Sequence, residues 1–155
     1  MLTNNARIIL FPTTASSIQQ KMCTGNASSV SKSNVFGLWN NATYGLNIEF
    51  GKGTTPATKE DYVVEESLQN SLTTSVISRS NPSTAPTFSD VPSLIFVTAL
   101  VTNETGEDIT DVTEVCIIHY TSSGATGKTL LTRTVLTEPL TFEAGKTYQI
   151  TVAVN

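Results

Sequence analysis

Between positions 44 and 50, Tyr44, Leu46, Ile48 and Phe50 alternate without a break with Gly45, Asn47 and Glu49. A period of two is the spacing of a strand that has one side in a core and the other in water. The pattern recurs along the chain. Leu72, Thr74 and Val76 resume it, and Leu94 to Val101 is a long apolar run. Val112 to Tyr120 is rich in β-branched residues, and Tyr148, Ile150, Val152 and Val154 alternate with Gln149, Thr151 and Ala153. In 130–137, Leu131, Arg133, Val135 and Thr137 are expected on one face, with Leu130, Thr132, Thr134 and Leu136 on the other. Turn chemistry separates these runs at 103–106, 123–127 and 143–146. Helical periodicity is nearly absent. The expectation is an all-β, antiparallel β-sandwich of about eight strands, jelly-roll-like or Ig-like.

Two regions interrupt the strand pattern. Residues 80–92 hold three prolines and read as an exposed loop. After Phe50 come Gly51, Gly53 and Pro56, and then Thr58 with Asp61 in capping spacing. The glycines are expected where the strand must kink, and Thr58 is expected to open one helical turn over 59–62. Nearer the start, Arg7, Ile8, Ile9, Leu10 and Phe11 form a short strand-like run stopped by Pro12. Residues 12–35 are dominated by Ser, Thr, Asn and Gln, and Ser16 with Gln19 suggests one helical turn. A connection this long and this polar is expected to be mobile or laid against a neighbour. The division is therefore 1–35 as an extended N-terminal arm and 36–155 as one sandwich domain, with Arg7–Phe11 as the expected assembly contact.

The 155 residues suit a single domain. Only 14% are charged and the net charge is −4, so hydroxyls cover the surface and the scattered basic residues leave no footprint for nucleic acid or anionic lipid. The run from Ile8 to Phe11 is too short for a secretory core or a spanning helix. Cys23 and Cys116 lack metal-ligand spacing and are expected to be two free, mostly buried thiols, with one disulfide as the alternative. Sequons at Asn26, Asn41 and Asn103 would matter only after secretion.

Each chemical motif has a plainer structural explanation. Ser122 to Thr129 ends in the Gly-Lys-Thr of a phosphate loop, but Leu130 to Thr137 alternates as a strand where a helix would be needed. A hairpin turn fits better. His119 is the only histidine, and Cys116, three residues away on the same strand, should face the other way, so a structural histidine is expected. Glu104, Glu107, Asp108 and Asp111 crowd a turn without the order of a calcium loop. Glu60, Asp61, Glu65 and Glu66 could supply a glycosidase pair only if the fold converged two of them. Trp39 and Tyr44, with Tyr62, could stack on a sugar ring, although core packing is the commoner fate of such side chains. No catalytic, cofactor-binding or metal-binding constellation is expected.

The Phe-Gly-x-Gly stretch from Phe50 running to Asp61, the strand Ile109 to Cys116, the Leu-x-x-Arg-x-Val strand at Leu130 to Val135 and the Pro139 to Gly145 turn resemble a recurrent pattern. It is that of small accessory virion structural proteins of tailed bacteriophages. The resemblance covers residues 45–154 and departs at Cys116, where such proteins place glycine. It implies a non-enzymatic capsid decoration, auxiliary, fibre-base or neck and tail protein, located in the virion after assembly in the host cytoplasm. Its partners would be other virion proteins, with copies of itself as a further candidate, and no nucleic acid or membrane. A tail or receptor-binding component, or a carbohydrate-binding sandwich module, is the alternative.

Overall fold

The computed structural model describes residues 1, 3, 17–21, 23–31, 45–79, 96–120 and 127–153. The run Arg7–Phe11, the aromatics Trp39 and Tyr44, and the proline loop 80–92 lie outside them. Among the described residues there are eight strands: β1 (Ser17–Lys21), β2 (Ala27–Ser31), β3 (Leu46–Gly51), β4 (Leu72–Arg79), β5 (Phe96–Asn103), β6 (Ile109–Tyr120), β7 (Lys128–Phe142) and β8 (Thr147–Ala153). Six of them build two antiparallel three-stranded sheets, ordered β3-β6-β7 and β4-β5-β8, while β1 and β2 form a separate hairpin. No α-helix occurs among the described residues.

The two sheets share one apolar cluster, giving a sandwich-like arrangement. Leu46, Ile48, Phe50, Ile117, Leu131 and Phe142 from the first sheet meet Leu72, Val97, Ala99 and Val101 from the second. Phe142 makes edge-to-face contacts with Phe50 (5.1 Å) and with Tyr148 (5.4 Å), so an aromatic chain crosses from β3 through β7 to β8. Such pairs add about 0.5–1.5 kcal/mol each beyond their buried area. At one end the buried Asn103 side chain donates to the carbonyls of Glu107 and Phe142 and accepts from Thr105. One side chain thereby ties the β5–β6 turn to the end of β7.

The sheets differ in what covers them. On β4, β5 and β8 burial alternates as the sequence suggests, with Thr73, Ser75, Leu100, Thr147, Gln149 and Thr151 in water. β3 does not follow that rule: Glu49 is buried along with Ile48 and Phe50, so both of its faces are covered. A second cluster explains this. Val64, Cys116, Ile118 and Leu130, joined by Cys23 and Tyr120, form a layer apart from the shared core. The half-buried strand expected at 44–50 is thus enclosed on both sides.

Several local expectations change. The turn suggested by Ser16 and Gln19 is a strand, since Gln19 sits in β1 and pairs with Ser29. The overlooked signal was Thr24-Gly25-Asn26, where Gly25 takes φ +84° in the hairpin loop. Residues 59–60 make a turn and no helix. Even so, Thr58 and Asp61 bond reciprocally: Asp61 accepts from the Thr58 N–H (2.9 Å) and hydroxyl (2.7 Å), and the Asp61 N–H reaches the Thr58 carbonyl. In β7 the register slips by one residue between Ile117↔Thr132 and Ile118↔Leu130, which makes Leu131 a bulge. A bulge inverts the alternation beyond it. Leu131 therefore points into the shared core while Arg133 lies with Cys116 on the other face, separating two residues expected to be together. The Ile117 N–H displaced by the slip donates to the Thr132 hydroxyl at 3.1 Å.

Residues 1 and 3 continue the first sheet. The Met1 nitrogen donates to the Arg133 carbonyl, the Arg133 N–H donates to Met1, and the Thr3 N–H donates to Leu131. This is antiparallel pairing on the β7 edge, within the same chain. The Thr3 side chain is wholly buried there.

Candidate functional site

The chemistry-bearing side chains gather on the face of β3-β6-β7 that turns away from the other sheet. Glu49 and Gly51 of β3, Glu114 and Cys116 of β6, and Lys128 and Arg133 of β7 occupy it by strand parity and register. The segment 52–68 crosses above them.

Arg133 is the centre. Only 1% of its side chain is exposed, and it engages three carboxylates. Its Nε donates to Glu114 Oε1 at 2.6 Å, its Nη1 to Asp61 Oδ2 and the Thr55 carbonyl at 3.0 Å each, and its Nη2 pairs with Glu65 Oε2 at 3.0 Å. Glu114 is fully buried, and its second oxygen accepts the Glu65 N–H at 3.0 Å. The Thr113 hydroxyl donates to the Gly53 carbonyl. The Arg133–Glu114 bond joins β7 to β6, and each of the others fastens the 53–65 loop to the sheet.

The two glycines exist for that approach. Neither Gly51 nor Gly53 has positive φ, so the conformational reason expected from sequence is not the operative one. A Cβ on Gly51 would collide with the Glu65 carbonyl oxygen and lie 2.7 Å from Glu114 Oε2; one on Gly53 would lie 2.6 Å from the same oxygen. Backbone must come this close for Glu114 to reach both Arg133 and Glu65.

Electrostatics follow from the geometry. Burial raises the Glu114 carboxyl above its usual range, and this outweighs the opposing pull of Arg133. Burial also acts to raise Asp61, but the Thr58 bonds and the Arg133 guanidinium together bring it below its usual value. Arg133, despite the desolvation opposing its charge, is held above its ordinary value by Glu114 and Asp61. A guanidinium this basic gives up no proton, and an Asp61 kept ionised is a poor acid.

A second ion pair lies on the same face. Lys128 and Glu49 are in direct contact, 8% and 5% exposed, with Ser67 donating to Glu49 and the Lys128 ammonium donating to Gln69. Lys128 is the lysine of the Gly-Lys-Thr triplet. It belongs to β7 opposite Tyr120, consistent with a hairpin arm. Both cysteines are free thiols, Cys116 buried and Cys23 partly so, and burial pushes Cys23 up to about 11 and Cys116 well above its normal value. Neither is a nucleophile at neutral pH.

Other sequence candidates disperse. His119 has no exposed surface and neither ring nitrogen has a hydrogen-bond partner; burial lowers its pKa to about 4. It is a neutral core residue facing away from Cys116. In the acidic turn, Glu104 accepts from Thr73, Asp108 from the Ala144 N–H and Asp111 from Thr110, and no cluster among the described residues is arranged to hold a metal. Of the four carboxylates considered for glycosidase chemistry, Asp61 and Glu65 do converge, but on Arg133; Glu60 pairs with Lys59 in solvent. Tyr62 packs over Gly25. Glu49 went unnoticed as a buried charge because it occupies a position that the alternation of β3 would expose, and Lys128 because it closes a triplet read as a hairpin turn.

No protein-family model, no curated protein and no solved structure matches the chain.

Proposed function

We propose that the chain is a non-enzymatic structural protein of a bacteriophage virion. In this reading it is an auxiliary or decoration protein that docks on the capsid or head–tail region through residues 7–11 and the edges of a jelly-roll-like or Ig-like sandwich. The observation that carries the proposal is how the charged groups are used. The converging carboxylates are consumed by Arg133 in holding a loop to a sheet, while two strand edges keep their main-chain groups without partners among the described residues. Structural proteins of symmetric assemblies use such edges, because an added strand gains a row of hydrogen bonds. The sequence pattern running from Phe50 to Gly145 points the same way.

Quantitative mass spectrometry of purified virus particles carrying the gene tests the proposal. The chain should appear at a fixed ratio to the capsid subunit, and Leu10→Glu should lower that ratio without changing the melting temperature. Particles lacking the chain would overturn the reading. Point changes serve better than deleting residues 1–35, since that deletion also removes Thr3, the β1–β2 hairpin and Cys23 from the fold.

A further inference from the structure

A cleft of about 630 Å³ opens between the two sheets on the side where β7 and β8 form their edges. Its apolar walls include Phe50, Val115, Leu136, Leu140, Ile150 and Val152, and Leu140 is 40% exposed. The β8 edge opposite β5 has no strand beside it among the described residues, and the β7 edge is bonded by residues 1 and 3 at 131–133 and by Cys23 at Lys128, with no backbone partner at 134–140 among the described residues. Between Val112↔Leu140 and Glu114↔Val135 the β7 chain bows out, so residues 136–139 leave the β6 ladder and bring Leu136 and Leu140 to the cleft. Glu138 is the one charged side chain among the described lining residues and has no ion-pair partner among them; the Met1 ammonium, which also borders the cleft, donates to the Arg133 carbonyl.

We infer that this cleft accepts the segment Arg7-Ile8-Ile9-Leu10-Phe11 of a second copy of the chain, added as a strand between the β7 and β8 edges. Two open edges require an occupant with its own main-chain donors and acceptors, which a lipid tail or a helix does not offer. A strand bridging the two edges turns one face to the apolar walls of the cleft, and Ile8 to Phe11 is an unbroken apolar run that supplies that face. Arg7 precedes it directly, and a strand entering the cleft brings that cation to Glu138, the carboxylate of the lining. Met1 and Thr3 of the same chain already hold the β7 edge at 131–133, so the occupant of the cleft is assigned to a second copy. The inference takes from the proposed function only the role of residues 7–11 in assembly, and it holds or fails whether or not the partner particle is a virion.

The test is self-association of the purified full chain, followed by light scattering after size exclusion, with a synthetic peptide of residues 5–13 as a second probe. The wild type should associate with rising concentration, and Leu140→Glu or Leu10→Glu should weaken association at least tenfold. Mixing those two variants should restore it, since one keeps the run and the other keeps the cleft. Glu138→Arg should weaken association and Arg7→Glu added to it should recover it. Leu140 is already partly exposed, so L140E should melt as the wild type does; if it does not, E138R with its partner swap decides the matter alone. A wild type that stays monomeric at several hundred micromolar and ignores the peptide would overturn the inference, as would L140E associating like the wild type. Either result would leave the particle measurement above untouched.

Discussion

The outer faces of the two sheets were built from similar strands and ended differently. On β4-β5-β8 the outward residues are mainly hydroxyls and amides, with Leu100 among them, joined across strands by Thr98 to Thr151 at 2.8 Å and Thr102 to Thr147 at 2.9 Å, and they face water. On β3-β6-β7 the outward residues include the charged Glu49, Glu114, Lys128 and Arg133 beside Cys116, Ile118 and Leu130, and all four charged ones are buried. An uncharged face needs no cover to be stable. A charged one that is covered must pair every charge, because an unpaired charge in that layer costs several kcal/mol. The first face tolerates change and the second does not.

The most severe way to break that contrast is Arg133→Met. It strands Asp61, Glu65 and Glu114 together, and loss of one partner from a buried ion pair costs about 3–5 kcal/mol, to be read from urea unfolding. An acid titration should come next. His119 titrates at about 4 in the fold against 6.5 when free, so its neutral form is favoured by folding. That contribution is fully present above pH 6.5 and is lost as the pH falls toward 4, amounting to about 3 kcal/mol. His119→Leu should remove this part of the acid sensitivity, and an unchanged slope would refute the assignment. Gly51→Ala should follow at about 1–3 kcal/mol, since the loop backbone must shift to admit the methyl group. Thr102→Val, on the uncharged face, should move stability by no more than about 0.5 kcal/mol. A large effect there would erase the distinction between the faces.

Much of the strand layout was legible because β4, β5 and β8 are covered on one side only, which is the condition under which alternation reports burial. β3 and the stretches of β6 and β7 beside it, 114–120 and 128–133, are covered on both sides, so Glu49 on the polar half of the β3 pattern looked solvated when it was not. The bulge at Leu131 could not be read either. It rests on a one-residue slip against β6, a relation between distant segments, and it places Arg133 on the face of Glu114. The glycines at 51 and 53 drew attention for the right region and the wrong cause: close approach by Glu65 and Glu114 is invisible until the loop is folded over them. The hairpin β1–β2 escaped because Ser, Gln and Lys carry no apolar period, leaving only the Thr-Gly-Asn turn as a sign.

The central claim is that the convergence on Arg133 fastens the 53–65 loop to the sheet. Amide exchange at Glu65 measures this directly, because that N–H is bonded to the Glu114 carboxylate held by Arg133. In Arg133→Met, under conditions where the protein remains folded, Glu65 protection should collapse while that of Ala99 and Val101 in β5 persists. Equal protection of Glu65 in variant and wild type would contradict the account.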